Sequence, residues 1–105
     1  MFNKYESDAK IFKALCDPKR LAILELLQSG EKCACKLMEE LNIAQSALSY
    51  HMKILCESEI VSARQDGKWT HYRISKTGSE RAMKKLNDIT QTNNDDVCCK
   101  CNESH

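Results

Sequence analysis

A mainly α-helical domain carrying a β-hairpin wing, a winged helix-turn-helix, is the fold that three features of this 105-residue sequence predict. Residues 36–61, KLMEELNIAQSALSYHMKILCESEIV, hold two short apolar-periodic runs that meet across Asn42-Ile43-Ala44. That break is too brief to separate independent units, so the runs read as two helices packed at a steep angle. Residues 60–75, IVSARQDGKWTHYRIS, follow with two strand-like runs around Asp66-Gly67, the turn chemistry of a hairpin. Ahead of both, Asp17-Pro18 is a helix start, because an Asp can accept from the first free N–H groups and a Pro at the first helical position has no N–H to waste. Amphipathic helix pairs occur in any small helical bundle; the hairpin directly after the second helix makes the combination specific.

Taken in order, residues 5–15 place Tyr5, Ala9, Ile11, Phe12 and Leu15 on one buried stripe of a first helix, which plain core packing accounts for. The second helix runs from Pro18 through Leu21, Ile23, Leu24 and Leu27 to a stop at Ser29-Gly30, and Leu21, Leu24 and Leu27 are expected to support the motif from behind. Within the motif Leu37 and Leu41 share one face, and Leu48, Met52 and Leu55 repeat at i, i+4 and i+7, so these point inward. The opposite face of the second motif helix shows Gln45, Ser46, Ser49, Tyr50 and Lys53, short hydrogen-bonding groups suited to base edges and phosphates. In the hairpin Thr70, Tyr72 and Ile74 alternate with Trp69, His71 and Arg73, which gives one packed face and one facing solvent or DNA. Arg64, Lys68 and Arg73 are then placed to meet phosphates beside the groove, unless the hairpin merely caps the core and its charges are solvated. Residues 77–90 make a last helix with a stripe of Ala82, Met83, Leu86 and Ile89, in which Met83 is a packing residue and not a ligand. After Gln91 the composition changes to TNNDDVCCKCNESH, expected to be a disordered tail. One compact domain over residues 1–92 and a Cys-rich tail over 93–105 follow.

A net charge of +1 excludes a polycation that coats nucleic acid, so DNA binding must come from a local surface. From residue 45 to 76, Lys53, Arg64, Lys68, Arg73 and Lys76 stand against Glu57, Glu59 and Asp66, whereas acids outnumber bases from residue 80 onward. The small positive bias lies where the motif is. The first residues, MFNKYESDAKIF, lack an apolar signal core and no run approaches a membrane span, so the expectation is a cytoplasmic protein with no membrane partner. Seven cysteines, an odd number, fit metal, metalloid or redox chemistry better than a disulfide framework. No nucleophile, base and oxyanion donor converge, so no enzyme activity and no organic cofactor are expected.

The stretch AQSALSYHMKIL followed by Glu57-Ser58-Glu59-Ile60-Val61 resembles the recognition helix and exit of the ArsR/SmtB family of metal-responsive winged-helix repressors, with Gln45, Ser46, Ser49 and His51 coinciding with its Ser/Ala-Gln-x-x-x-Ser-x-His pattern. The resemblance covers roughly residues 5–91. It implies a homodimer paired through the first and last helices, binding double-stranded operator DNA at half-sites about one turn, roughly 34 Å, apart. It also implies that His51 orients the recognition helix or a phosphate contact.

Cys33 and Cys35 in GEKCACKLMEEL resemble the Cys-Val-Cys-Asp-Leu signature of the arsenic, antimony, cadmium and lead branch. Two residues at i and i+2 within a helix point to nearly opposite sides, so both sulfurs reach one ion only if the helix begins or bends there. Binding would then distort the helix that buttresses the recognition helix. A helix N-terminus and the adjacent Lys36 favour thiolates, and thiolates select soft ions. Arsenic-responsive members often carry a third cysteine one turn on, where this chain has Met38, so arsenite at Cys33 and Cys35 has two sulfurs plus water or recruits another. Cys98, Cys99 and Cys101 offer three thiols within four residues and are a second candidate site, or else a tail that holds metal without controlling DNA. Cys16 and Cys56 read as small buried apolar residues, with a cross-subunit site as the distant alternative. The last helix has no histidine, which disfavours the zinc, cobalt or nickel branch. A repressor released by trivalent arsenic or antimony is the expectation, with cadmium or lead, or thiol oxidation or persulfide chemistry on the same scaffold, as alternatives.

Overall fold

The computed structural model describes residues 3–92. Helix α1 (Asn3–Ala14) is followed by α2 (Pro18–Leu27), the short strand β1 (Lys32–Cys33), α3 (Ala34–Leu41), α4 (Gln45–Glu57), strands β2 (Val61–Asp66) and β3 (Trp69–Ile74), and α5 (Lys76–Ile89). The helix-turn-helix and the wing stand where the sequence placed them. The expected start of α2 is present in atomic detail: Asp17 Oδ2 accepts from the backbone N–H of Lys19 at 2.8 Å and of Arg20 at 3.3 Å. A cap of this kind contributes about 1 kcal/mol.

The sheet has three antiparallel strands in the order β1-β3-β2. β2 and β3 pair from Val61 opposite Ile74 to Asp66 opposite Trp69, so Asp66 closes the ladder and Gly67 and Lys68 form the loop. Gly67 takes φ +66°, the positive value that a two-residue hairpin turn requires of its first loop residue. β1, too short to be legible as a strand, adds Lys32 opposite Tyr72 and Cys33 opposite His71.

The core forms where α1, α2, α3 and α4 meet over the root of the wing. Ile23, Leu37 and Leu55 are fully buried, and Leu27, Leu48, Met52 and Val61 nearly so. Burying side chains of this size is worth about 1.5–3 kcal/mol each. Leu37, Leu48, Met52 and Leu55 point inward as the periodicity predicts. Leu21 does not support the motif: it is 51 % exposed, while Ile23 and Leu27 take the inward positions with Leu24 partly covered. Ile23 and Leu27 lie one turn apart, and Leu21, two residues from Ile23, falls on the other side of the helix.

The start of α5 is fixed by its cap and by a close approach. Ser75 caps it, accepting from Gly78 N–H at 3.0 Å, and Gly78 lies so close to the turn after α4 that an added Cβ would stand 1.7 Å from the carbonyl oxygen of Glu59. The apolar stripes expected on the first and last helices are only partly covered within one chain. Ile11 and Ala14 are buried, whereas Tyr5, Met83, Leu86 and Ile89 are exposed, and Lys85 Nζ reaches Asp8 Oδ1 at 3.4 Å across the two helices. Met83 therefore packs against nothing of its own core.

Candidate nucleic-acid interface and thiol site

The turn between α3 and α4 is set by Asn42, which takes the left-handed conformation (φ 54°, ψ 51°) and ends α3, with Ile43 N–H donating to Met38 O at 3.2 Å. A short amide side chain tolerates this region better than a branched one. Ala44 then launches α4 from an extended conformation and has no side chain able to cap it. The first N–H groups of α4 are thus left without a side-chain acceptor, a ready partner for phosphate oxygens. Along the outer face of α4, Gln45, Ser46, Ser49, Tyr50 and Lys53 are all exposed, and Lys68 at the wing tip and Arg73 on β3 are exposed beside them. Lys53 and Lys68 have no carboxylate partner among the described residues.

Two residues assigned to that surface by sequence sit differently. His51 is 7 % exposed and points into the core side of α4, away from the face made by Ser46, Ser49 and Lys53. Its Nδ1 lies 2.9 Å from Nη1 of Arg20, a buried residue of α2 that sequence reasoning passed over. The same guanidinium donates from Nε to Ala14 O at 3.2 Å and from Nη2 to Lys13 O at 3.0 Å. A guanidinium only donates, so His51 Nδ1 accepts and the ring is neutral with its proton on Nε2. Burial, with help from the charges of Arg20 and Lys19, holds the His51 pKa below its ordinary value despite Asp17 nearby. Arg20 therefore ties the end of α1 and the start of α2 to the middle of α4, which fixes the recognition helix from behind. The signal in the sequence was a charge three residues before Ile23 and seven before Leu27, on the inward stripe of α2.

Arg64 is exposed but already partnered. Its Nη2 is hydrogen-bonded to Glu31 Oε2, its Nε lies 3.4 Å from Glu31 Oε1, and its Nη1 lies 3.7 Å from Asp66 Oδ2. The Arg64 hydrogen bond and charge hold the Glu31 carboxyl below its usual pKa, with His71, 3.6 Å away, and Arg73 adding to the effect. Much of Arg64's charge is spent inside the protein.

The geometric condition for a two-thiol site is met. Cys33 ends β1 and is the residue before α3, in an extended conformation (φ −80°, ψ 155°), and Cys35 lies in the first turn. The helix begins between them, their Cα atoms are 5.4 Å apart, and their sulfurs are joined as a disulfide. In the reduced state this brings two thiols to one point, one half-buried and one exposed. Cys33 occupies the N-cap of α3 and makes no side-chain cap bond to it. Lys36 adds less than its position suggests, because its Nζ pairs with Glu40 Oε2 at 3.2 Å.

Cys35 also lines a cleft of about 290 Å³ between α3, α4 and the wing, together with Met38, Leu48, Ser49, Lys68 and Trp69. Among the described residues no three His, Cys, Asp or Glu side chains gather as a metal cluster. Cys16 is exposed, its thiol donating to Lys13 O at 3.3 Å, so it is not the small buried residue expected. Cys56 is half-buried against the sheet, and burial raises its pKa and disfavours the thiolate. Cys98, Cys99, Cys101 and the tail over 93–105 lie outside the described residues.

A recognition helix with a polar outer face, seated on a tight turn and flanked by a wing carrying an unpaired lysine, defines a DNA-binding transcriptional regulator. Residues 17–63 match the bacterial regulatory protein domain of the arsR family. The chain is 39 % identical over 94 residues to an arsenical resistance operon repressor of Staphylococcus aureus, covering 90 % of this chain and 90 % of that protein. It is 41 % identical over 87 residues to an uncharacterized HTH-type transcriptional regulator of Methanocaldococcus jannaschii, covering 82 % and 98 %. Its fold matches that of an ArsR-like transcriptional regulator from Rhodococcus sp. RHA1 with a TM-score of 0.71 and 25 % identity, covering 85 % of this chain and 82 % of that one. The chain belongs to the ArsR family of transcriptional repressors, DNA-binding regulators and not enzymes. No helix among the described residues is long and apolar enough to cross a membrane.

Proposed function

We propose that this chain is a cytoplasmic, homodimeric repressor that leaves its operator when trivalent arsenic or antimony engages the reduced thiols of Cys33 and Cys35. The observation that carries the reading is the start of α3 between the two cysteines, which brings their sulfurs to one point. A soft, thiol-seeking ion fits that pair, and cadmium or lead is the nearest variant. The relative from Staphylococcus aureus, named for arsenical resistance, points the same way. The thiols of Cys98, Cys99 and Cys101 are a second candidate set, able to supply a third sulfur or to act alone.

Two routes lead from the thiols to DNA. α3 packs on α4 through fully buried Leu37, so a change in its first turn tilts the recognition helix. Cys33 is also paired with His71 in the sheet, so the same change reaches the wing. On DNA, Gln45 and Ser49 read base edges while Ser46, Tyr50, Lys53, Lys68, Arg73 and, to a smaller degree, Arg64 meet the backbone. His51 acts from the core, by orienting α4. The exposed apolar side chains Tyr5, Met83, Leu86 and Ile89 on α1 and α5 supply the dimer surface that sets two recognition helices about 34 Å apart.

The disulfide between Cys33 and Cys35 supports a second reading, in which oxidation of the pair is itself the signal. One experiment separates them: the reduced protein bound to its promoter DNA is titrated with arsenite, antimonite, cadmium, lead and peroxide. Release by arsenite and antimonite under reducing conditions supports metalloid control. Release by peroxide alone, reversed by a reductant, transfers the assignment to redox control.

A further inference from the structure

His51 Nδ1 stands between two groups of opposite chemistry. Arg20 Nη1, which can only donate, lies 2.9 Å away, and Asp17 Oδ2, which can only accept when ionised, lies 4.0 Å away. A neutral ring accepts from Arg20. A ring protonated at Nδ1 has no lone pair left there and carries the same sign of charge as the guanidinium, so its partner becomes Asp17. A movement of about 1 Å brings Asp17 to the distance of a charge-assisted hydrogen bond.

Both neighbours of the ring hold other parts of the fold. Arg20 also donates to the carbonyls of Ala14 and Lys13, which ties down the end of α1, and Asp17 accepts from the Lys19 and Arg20 N–H groups that start α2. Repelling the guanidinium loosens the first of these ties, and drawing Asp17 toward an imidazolium loosens the second. On α4 the His51 ring meets the exposed Tyr50 ring edge to face, with centroids 5.2 Å apart, so a turn of the imidazole reaches the outer face of the recognition helix.

We propose that Arg20, His51 and Asp17 form an acid-operated latch: neutral His51 lets Arg20 hold the recognition helix in its DNA-binding position, and protonation exchanges Arg20 for Asp17 and releases the operator. The signal is the proton, and none of the cysteines takes part. Burial opposes the charged ring most; Asp17, ahead of α2, favours it, while Arg20 and Lys19 of α2 oppose it. Among the described residues α1, α3 and β2, which also pack on α4, bring no charge that acts on the ring. The DNA-binding arrangement thus disfavours the proton, so the released one takes it up more readily, and affinity falls as pH drops below the ordinary histidine value of 6.5. Histidines that merely add positive charge near phosphates give the opposite trend, a rise in affinity with acid.

The test is fluorescence anisotropy of the reduced full chain, free of metalloid, on its own promoter DNA from pH 7.5 to 5.5 at constant ionic strength. Wild type should lose at least about tenfold in affinity, the effect of one pKa unit between the bound and released states. His51→Asn, whose amide oxygen can accept from Arg20 and whose side chain does not charge, should show no fall. Asp17→Asn, which keeps a capping side chain but offers the imidazolium no carboxylate, should move the fall to lower pH. Whatever its affinity at pH 7.5, Cys33→Ser/Cys35→Ser should show the same proportional fall as wild type. Nitrogen NMR of the imidazole, assigned by its absence in His51→Asn, should find the proton on Nε2 at pH 7.5 and protons on both nitrogens where DNA is released. A wild-type affinity that stays level or rises, an equal fall in His51→Asn, a fall that disappears with the two thiols, or helical circular dichroism lost in step with DNA binding overturns the proposal.

Discussion

Arg20 Nη1 on α2 stands 2.9 Å from Nδ1 of His51 on α4, and the pair is buried. This contact makes the seat of the recognition helix depend on a neutral imidazole. The folded-state pKa of His51 is lowered, chiefly by burial, from an ordinary 6.5. The neutral ring therefore contributes stability that is complete above about pH 6.5 and is lost as pH falls through the lowered folded value. Wild type should lose urea stability between pH 6.5 and 5, and His51→Phe, though weaker at pH 7.5, should lose less over the same interval. Equal slopes in the two proteins would mean that His51 is not the group responsible.

Glu31 and Arg64 form the second polar contact with consequences for function. Because Arg64 is held by Glu31 and Asp66, it should add less to DNA binding than Lys68 does. Lys68→Ala should lower the slope of log affinity against log salt by about 1.8 for the dimer, the effect of one phosphate contact at each of two half-sites. Arg64→Ala should change it by less than half of that, and Glu31→Gln, which frees the guanidinium, should raise affinity and steepen the slope. Anisotropy at four salt concentrations measures all three, and a larger loss at Arg64 than at Lys68 would reverse the assignment.

Gly78 is required by space. A Cβ there would meet the Glu59 carbonyl at 1.7 Å, too close for either backbone to remain in place. Gly78→Ala should therefore cost about 3 kcal/mol, the upper range of overpacking, despite the better helix propensity of Ala. Urea unfolding at fixed protein concentration reads the loss. A neutral or stabilising effect would show that α5 is free to shift.

The apolar side chains of α5 predict an assembly. Leu86 and Ile89 are 52 % and 56 % exposed in the single chain. Leu86→Glu with Ile89→Glu should give monomers by sedimentation velocity and weaken operator binding by at least about tenfold, since two half-sites then bind separately. A dimer that survives both charges would place the interface elsewhere.

Much of this architecture was readable from residue order. Asp17-Pro18, the inward Leu48, Met52 and Leu55, and the hairpin around Gly67 follow from local chemistry and short periods, so they appear where expected. Residue order shows less where a side chain's partner is distant in sequence. His51 lies on the repeating pattern of the recognition helix, but its neighbour is Arg20, 31 positions away. Arg64 looks like a phosphate contact until Glu31, 33 positions earlier, is brought beside it. Strand β1 spans two residues and carries no periodicity, yet it links Cys33 to the wing. The convergence of Cys33 and Cys35 was legible only as a condition on where α3 must begin, and α3 begins at Ala34; the disulfide between them was not expected from the sequence.

The central claim is that the thiols at the start of α3 govern the hold on DNA. Fluorescence anisotropy of the reduced protein on its own promoter DNA, titrated with arsenite, tests it in three proteins: wild type, Cys33→Ser/Cys35→Ser, and Cys98→Ser/Cys99→Ser/Cys101→Ser. The account predicts release of wild type and of the tail variant, with the Cys33/Cys35 variant remaining bound. Release of the Cys33/Cys35 variant at the same arsenite concentration, with retention by the tail variant, would contradict it and move control to the carboxy-terminal cysteines.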